Sequence, residues 1–509
     1  MFSKVLIANR GEIATRIIRA CKELGVKTVA IYSAADVDTL HVKRADESYY
    51  VGLAPPAESY LNIERIIELA KSSGAEAIHP GYGFLSQNPT FAEKCAEESI
   101  IFVGPSPSSL HLLGNKLEAR NTAINHGVNV IPGATEPIKN TQEALTLAQK
   151  LGYPVFIKAV FGGGGRGIRL VRGPSEMESA FDICSVEAQE SFGNSMLYVE
   201  KLIEDARHIE FQIMADQRGD AVHLFERECS IQRRHQKIIE ESPSSALTDE
   251  LRKSMAEAAI RTAKAASYTN AGTVEFLLDR NRNFYFLEMN TRLQVEHLVT
   301  EMVTGIDIVK AQLSIASGEP LPWKQSEIRC HGWAINSRVN AEEPSRNFAP
   351  SPGKVSEFHS PSGPGIRIDT ALYRGAEISI FYDSLLAKVT AWGRTRSEAI
   401  TRLLAALDDL VIEGMPTNIS IHKKILNHET FQAGKIDIGF LQKQAADLFR
   451  EDEVELLDIM AICASVAMFS LPSPISPVKN KTKSYWSHAG RKHHIEAHNV
   501  KRSQGIEGL

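Results

Sequence analysis

No apolar run among the 509 residues approaches the roughly 20 needed to cross a bilayer, so a membrane-spanning helix is set aside. The opening residues, Met1-Phe2-Ser3-Lys4, lead straight into an apolar run and leave no room for a signal peptide. Cysteine is scarce: Cys21, Cys95, Cys184, Cys229, Cys330 and Cys463 are scattered, with neither zinc-type pairing nor a dense disulfide framework. Free thiols in a reducing, cytoplasmic setting are therefore expected. An excess of either charge is also missing. The 57 lysines and arginines against 62 aspartates and glutamates leave a net charge of −5 and a pI near 6.4, without a basic footprint for nucleic acid. Internal repeats are absent. The first strand-to-helix turn, Ala8-Asn9-Arg10-Gly11, lacks the GxGxxG of a dinucleotide site, and no Walker A loop occurs.

What is present is a composition of soluble globular type, 43% hydrophobic and 23% charged, in a chain long enough for three or four domains. Val5 to Asn9 reads as a buried strand, and Ile13, Ile17, Ile18 and Cys21 follow with a helical period. Strand-like Thr28 to Tyr32 and Asp46 to Val51, a helix from Asn62 to Ser72, a short strand Ala77 to His79, a helix from Phe91 to Glu98 and a strand-like Ile100 to Pro105 complete the alternation. This order predicts an open parallel sheet over about the first 110 residues. A second unit at 140–205 holds a helix from Thr141 to Lys150 and a strand from Pro154 to Lys158, with a glycine-rich turn after it. Strands and helices alternate again from about 207 to 315. Beyond 330 strands lie closer together, and helices follow near 396–411 and 417–427. The apolar stretch Asp458 to Leu471 precedes a stiff linker, Pro472-Ser473-Pro474-Ile475-Ser476-Pro477, and a basic tail.

Three segments carry chemistry. In Lys158 to Ile168, four consecutive glycines, Gly162 to Gly165, let backbone N–H groups approach a polyanion, and Lys158 adds a charge beside them. Glu275 and Glu288 each place a carboxylate in an apolar strand-like run, with Asn290 two residues after Glu288 and so on the same strand face. Such carboxylates are costly unless paired or metal-bound, and oxygen ligands from two strands suit Mg²⁺ beside nucleotide phosphates. Thr291 to His297 sets a cation, an amide and a carboxylate at alternate positions, read here as one face of an extended segment. Arg292 would offer a fork of donors to a small oxyanion such as bicarbonate, and Glu296 a nearby base. Gln232 to Lys237, with Glu240 and Glu241 after it, is a further dense polar run.

These motifs resemble the biotin carboxylase family of ATP-grasp enzymes. The resemblance rests on Asn9-Arg10-Gly11-Glu12-Ile13-Ala14, the run from His79-Pro80-Gly81-Tyr82-Gly83 to Ser86, Gln232 to Lys237, and Glu288-Met289-Asn290-Thr291-Arg292. Arg338-Val339-Asn340-Ala341-Glu342, Pro350-Ser351-Pro352-Gly353 and Tyr382-Asp383-Ser384 extend it, in order, to about 445. Another ATP-grasp ligase, of carbamoyl-phosphate or carboxylate-amine type, would share the lid and metal carboxylates but lack the 79–83 and Arg338 segments together.

The resemblance implies an α/β chain with the ATP-grasp fold. It divides into an N-terminal parallel-sheet domain at 1–114, an ATP-grasp domain at 115–330 with a mobile lid at about 131–203, a C-terminal α+β domain at 331–446, and a tail at 447–509. It implies that Lys116 and Lys158 hold ATP phosphates under the glycines Gly162, Gly163, Gly164, Gly165 and Gly167. Glu200, Lys201 and Ile203 resemble the hinge that reads adenine, with His208, Gln232 and His235 near the nucleotide. Glu275, Glu288 and Asn290 resemble Mg²⁺ (or Mn²⁺) ligands. Lys237, Arg292, Gln294 and Val295 resemble the bicarbonate pocket, and Glu296 the base. Arg338 resembles the group facing the biotin ureido oxygen, with Tyr82 and Gly83 on that side.

Departures from the family pattern are Gln87 for glutamate, Leu298 for proline, Val160-Phe161 for smaller residues and Ser337 for cysteine. No Ala-Met-Lys-Met biotinylation sequence occurs. Biotin is therefore expected on a separate biotin carboxyl carrier protein. A carboxyltransferase belonging to an acetyl-CoA, propionyl-CoA or pyruvate carboxylase would select the acceptor. A homodimer is expected, and the tail, through Ile459 to Leu471 and Ser484 to Arg491, is a candidate for partner docking.

Overall fold

The computed structural model describes residues 1–162, 167–449 and 456–470. They fall into two units, Met1–Arg450 and Glu451–Leu509. In the first, β1 (Lys4–Ile7) leads into α1 (Gly11–Glu23), and β2 (Lys27–Ser33), β3 (Glu47–Gly52), β4 (Ala77–His79) and β5 (Ile101–Phe102) follow. All pair in parallel in the order β3-β2-β1-β4-β5, the predicted open sheet. The last strand is shorter than Ile100 to Pro105 because proline donates no ladder hydrogen bond and Gly104 bends the chain. Short crossovers with buried Ile17, Ile66 and Phe91 cover the sheet, each such side chain contributing about 1.5–3 kcal/mol.

A small antiparallel sheet follows, with β6 (Val155–Ala159) between β7 (Ile168–Val171) and β8 (Leu197–Lys201). Gly162, at the described edge of the glycine run, has φ +93°, and a Cβ there would lie 2.2 Å from the Phe192 ring. Residues 163–166, which include Gly163, Gly164 and Gly165, lie outside the described residues.

The largest sheet has eight strands. β9 (Arg207–Ala215), β10 (Ala221–Arg233), β11 (Gln236–Ser242), β12 (Asn270–Leu278), β13 (Phe284–Asn290) and β14 (Trp333–Asn340) join the strands Ile366–Thr370 and Leu385–Gly393. Their order is β13-β12-β9-β10-β11-β14, then Leu385–Gly393 and Ile366–Thr370. The pairing of β11 with β14, Glu240 opposite Asn336, carries one sheet across residue 330. Helices Arg396–Asp409 and Ile419–Asn427 cover its C-terminal part through Leu403, Leu407 and Ile425, packed on Ile335 and Val389. On its other part, α1 shares an apolar cluster with Met214, Leu224, Ala271 and Leu313.

In the second unit the apolar stretch forms the helix Leu456–Ser470, in which Met460, Ile462 and Val466 are exposed. Ser484 to Arg491 lies outside the described residues. No helix among the described residues is long and apolar enough to cross a membrane.

Candidate active site

A row of directly opposed residues crosses four adjacent strands of the large sheet. Glu288 on β13 faces Glu275 on β12, Glu275 faces Glu210 on β9, and Glu210 faces Arg227 on β10. Carboxylates opposed in this way repel, and Glu210 and Glu275 are both buried, so the row stands only with cations against it. Arg227, fully buried, pairs with Glu210 and donates to Gln212, Thr273 and Thr300. Lys237 supplies the second cation. Its ammonium lies 2.5 Å from Glu210, 2.9 Å from Glu275 and 2.6 Å from Glu296. Burial opposes this charge, but the three carboxylates outweigh it and raise the Lys237 pKa well above the usual lysine value.

A β-bulge aims Lys237. The β10–β11 register steps from Gln232 opposite Lys237 to Ile231 opposite Ile239, which leaves Ile238 extra. Strict alternation would put Lys237 and Glu240 on opposite faces; the extra residue puts them on the same one. On that face Asn336 donates to Glu240 at 2.8 Å, and Arg338 pairs with the other oxygen of Glu240. Arg338 also reaches Glu296 Oε2 at 2.9 Å, while Lys237 holds Glu296 Oε1.

Glu296 arrives differently from the sequence expectation. Thr291 to His297 is not one extended face: the chain turns at Val295-Glu296, and Glu296 (φ −81°, ψ 9°) is the N-cap of the helix His297–Thr304. The physical reason is the apolar period of Leu298, Val299 and Val303, which are fully buried and draw the chain into a helix. Leu298, where the family usually has proline, is fully buried in that helix. Arg292, Gln294 and Glu296 still converge. Arg292 donates to Gln294 at 2.7 Å and to Asn290 at 3.3 Å, and Gln294 donates to Glu275 at 3.1 Å. Arg292 also donates to Gln87 at 2.7 Å, so that departure keeps an acceptor for the guanidinium. Burial and Glu210 push the Glu296 carboxyl up; Lys237, Arg338 and Arg227 outweigh them and hold it below the ordinary value.

Toward β13, Asn290 donates to Glu275 at 2.8 Å, and Lys116 lies 3.3 Å from Glu288. Glu275, Glu288 and Asn290 offer oxygen donors only, and their carboxylates sit opposite each other; that set fits a hard divalent cation. His208, buried, lies 3.3 Å from Glu275 and shares a 3.1 Å contact with Gln232. The donors of His208, Glu210 and Glu275 also lie within 4.8 Å of one another, as do those of Glu210, Cys229 and Glu296. Glu210 is shared by both groups but is committed to Arg227 and Lys237.

Lys158 pairs with Glu200 across β6 and β8, and Lys116 reaches the Gly162 carbonyl. Gly167 donates its N–H to Glu187. The Lys201 ammonium is taken by the Gly152 and Tyr153 carbonyls at 2.7 and 3.1 Å, and its N–H by Pro132. Ile203 is half-buried, and His235 is exposed at the β10–β11 turn with φ +65°. On the far side, Asn9 donates to the Pro80 and Tyr82 carbonyls at 2.7 and 2.8 Å and so shapes the 79–86 loop. Gly81 there has φ +63°, and a Cβ would lie 3.0 Å from Asn9. Gly83 is exposed.

Sequence reasoning assigned no role to Glu210, Arg227, Glu240 or Lys388. The signal for Glu210 was available, since Ile209-Glu210-Phe211 places a carboxylate in an apolar strand just as Val274-Glu275-Phe276 does.

Comparison with known families matches residues 1–110 to the biotin carboxylase N-terminal domain and 336–443 to the biotin carboxylase C-terminal domain. Between them, 115–324 match the carbamoyl-phosphate synthase L chain ATP binding domain. The chain belongs to the biotin carboxylase family. Biotin carboxylase 1 of Bacillus subtilis is 53% identical over 443 residues, covering 87% of this chain and 98% of that protein. The biotin carboxylase of a Nostoc species is 50% identical over 442 residues, 87% of this chain and 99% of the relative. The biotin carboxylase domain dimer of the Hydrogenobacter thermophilus 2-oxoglutarate carboxylase, solved with MgADP, ADP and bicarbonate, superposes with a TM-score of 0.87 at 46% identity. It covers 89% of this chain and 100% of its own. The enzyme is thus a biotin carboxylase of ATP-grasp fold, and the other ATP-grasp ligases considered from the sequence are set aside.

Proposed function

We propose that this biotin carboxylase uses ATP and bicarbonate to carboxylate biotin borne on a separate carrier protein, through carboxyphosphate, as one component of a biotin-dependent carboxylase. One observation carries the reading: the Glu296 carboxylate is held at one oxygen by Lys237 and at the other by Arg338. A base so placed serves the bicarbonate side and the biotin side at once. Glu296 is ionised near neutral pH, which makes it available as a base while reducing its proton affinity. Lys237 and Arg292 compensate, because cations that depress Glu296 also acidify a bicarbonate held among them.

In this reading bicarbonate, held by Lys237, Arg292, Gln294 and Val295, loses its proton to Glu296 and attacks the γ-phosphoryl group of ATP. Lys116 and Lys158, with Gly162 to Gly167, hold the phosphates, and Glu200, Lys201, Ile203, His208, Gln232 and His235 the nucleoside end. The Lys201 ammonium is occupied, so its share is structural support. Glu275, Glu288 and Asn290 would hold Mg²⁺, which neutralises phosphate charge when bound. Carboxyphosphate then releases CO₂ beside biotin, and the new phosphate takes the ureido proton. Arg338, permanently charged, stabilises the ureido anion as it attacks CO₂, with Tyr82 and Gly83 lining that side. The same reading divides the chain at 114, 330 and 446, with a lid over about 131–203. Its partners are a second copy, a biotin carboxyl carrier protein and a carboxyltransferase, in the cytoplasm.

Bicarbonate-dependent ATP hydrolysis by the purified chain, with and without free biotin, tests this. Biotin-stimulated hydrolysis suppressed in both Arg338→Ala and Glu296→Ala is the expected result. Hydrolysis that ignores biotin and responds to an amine or carboxylate substrate would overturn it.

A further inference from the structure

Lys388 is fully buried on the strand Leu385–Gly393, and the ladder sets it directly opposite Arg338 on β14 and Asp369 on the strand Ile366–Thr370. Directly opposed residues share a face, so two cations stand side by side under the turn that carries Glu296. They divide it between them. Arg338 holds the Glu296 carboxylate, and Lys388 donates to the carbonyl of the preceding Val295 at 3.4 Å. The same ammonium lies 2.9 Å from Glu12 on α1 and 5.5 Å from the centre of the Tyr82 ring. Burying a lysine is costly, and a methionine of similar length would fill the space without that cost. What the charge secures is the set of three attachments: to α1, to the loop bearing Tyr82, and to the peptide just before Glu296.

We infer that Lys388 is a positioning residue, a buried ammonium that fixes the Val295–Glu296 turn and the Tyr82 loop relative to each other so that carboxyl transfer can pass between them. The inference rests on the roles read above for Glu296 and Tyr82. It separates Lys388 from the nucleotide side: Lys116, Lys158 and the Glu288–Glu275–Glu210 row make none of these contacts. Loss of the ammonium therefore acts on bicarbonate and biotin and spares ATP.

The test is steady-state kinetics of the full chain, with ATP, bicarbonate and free biotin varied in turn, on the parent, Lys388→Met, Lys388→Arg and the double variant Glu12→Gln/Lys388→Met. The double variant removes both charges together, so it avoids a lone buried glutamate and keeps the side-chain volumes. In it the KM for ATP is expected to stay within about twofold. The KM for bicarbonate should rise, and the stimulation by biotin should fall, each by about tenfold. Lys388→Arg, which keeps a donor at the turn, should recover part of the biotin stimulation. A double variant with bicarbonate KM and biotin stimulation both like the parent's would overturn the inference. So would an equal loss in every constant, including the KM for ATP, tracking a lost thermal transition, and so would failure of all three variants to fold. If the parent itself shows no biotin stimulation, the functional reading falls first and this inference with it.

Discussion

Two buried charge clusters in this molecule are inverses of each other. At the candidate active site one cation, Lys237, is shared by three carboxylates, Glu210, Glu275 and Glu296. In the second cluster one anion, Glu301, is shared by two guanidinium groups, Arg16 at 3.1 Å and Arg367 at 2.6 Å. There each arginine also has an aspartate of its own: Asp307 lies 2.7 Å from Arg16, and Asp369 lies 2.9 Å from Arg367. That cluster is a fixed joint between α1, the helix His297–Thr304 and the strand Ile366–Thr370. Around Lys237 the shared group is the cation, and each carboxylate has a further partner: Arg227 for Glu210, Arg338 for Glu296, and His208, at 3.3 Å, for Glu275. The two clusters bury charge in opposite ways, one around a cation and the other around an anion.

The strongest way to break this contrast is Lys237→Met. Three carboxylates lose their common partner, and bicarbonate-dependent ATP hydrolysis is expected to fall by about 10³-fold, read as initial rates at saturating ATP. Glu301→Gln probes the other side. It leaves the buried Arg16 and the half-buried Arg367 short of an anion and should cost about 3–5 kcal/mol in urea unfolding, with the folded enzyme's turnover within about threefold of the parent. A Glu301→Gln rate as low as that of Lys237→Met would erase the distinction.

A third test uses pH. Burial pushes the Glu12 carboxyl from 4.5 to about 7, against the lowering charges of Lys388 and Arg367 and with a raising one from Asp369. The folded chain therefore binds this proton more tightly than the unfolded one. Its stability contribution is full below the unfolded value and is lost as pH rises through 7. Relative to the parent, Glu12→Gln should gain about 3 kcal/mol between pH 4.5 and pH 8, measured by urea unfolding across that range. A flat difference would place Glu12 with the fixed joint. The smallest effect belongs to Gln87→Glu. A carboxylate facing the Arg292 guanidinium at this exposed position should lower the KM for bicarbonate by about twofold.

The parallel N-terminal sheet was legible in the sequence because β1, β2, β4 and β5 are short, largely apolar runs and the helices α1, Ile63–Ser73 and Pro89–Glu97 keep their period. Glu275 and Glu288 were legible for a related reason, as carboxylates inside apolar strands. Two things were not. The turn at Val295-Glu296 was read as extended because alternating polar residues mimic a strand, and only the burial of Leu298 and Val299 behind it makes a helix. The bulge at Ile238 leaves no mark in Lys237-Ile238-Ile239-Glu240, since either register keeps one isoleucine inside. Lys388 and Arg227 were invisible because a lone cation in a strand carries no signal of what opposes it 50 or 17 residues away.

The row Glu288–Glu275–Glu210–Arg227 has a metrological consequence. Its charges are graduated by the spacing of neighbouring strands, roughly 4.8 Å per step, and that interval belongs to the hydrogen-bonded backbone. Sequence drift can change which group stands at a mark, but not the distance between marks. Any ion or ligand that meets the row is measured against a scale that does not stretch.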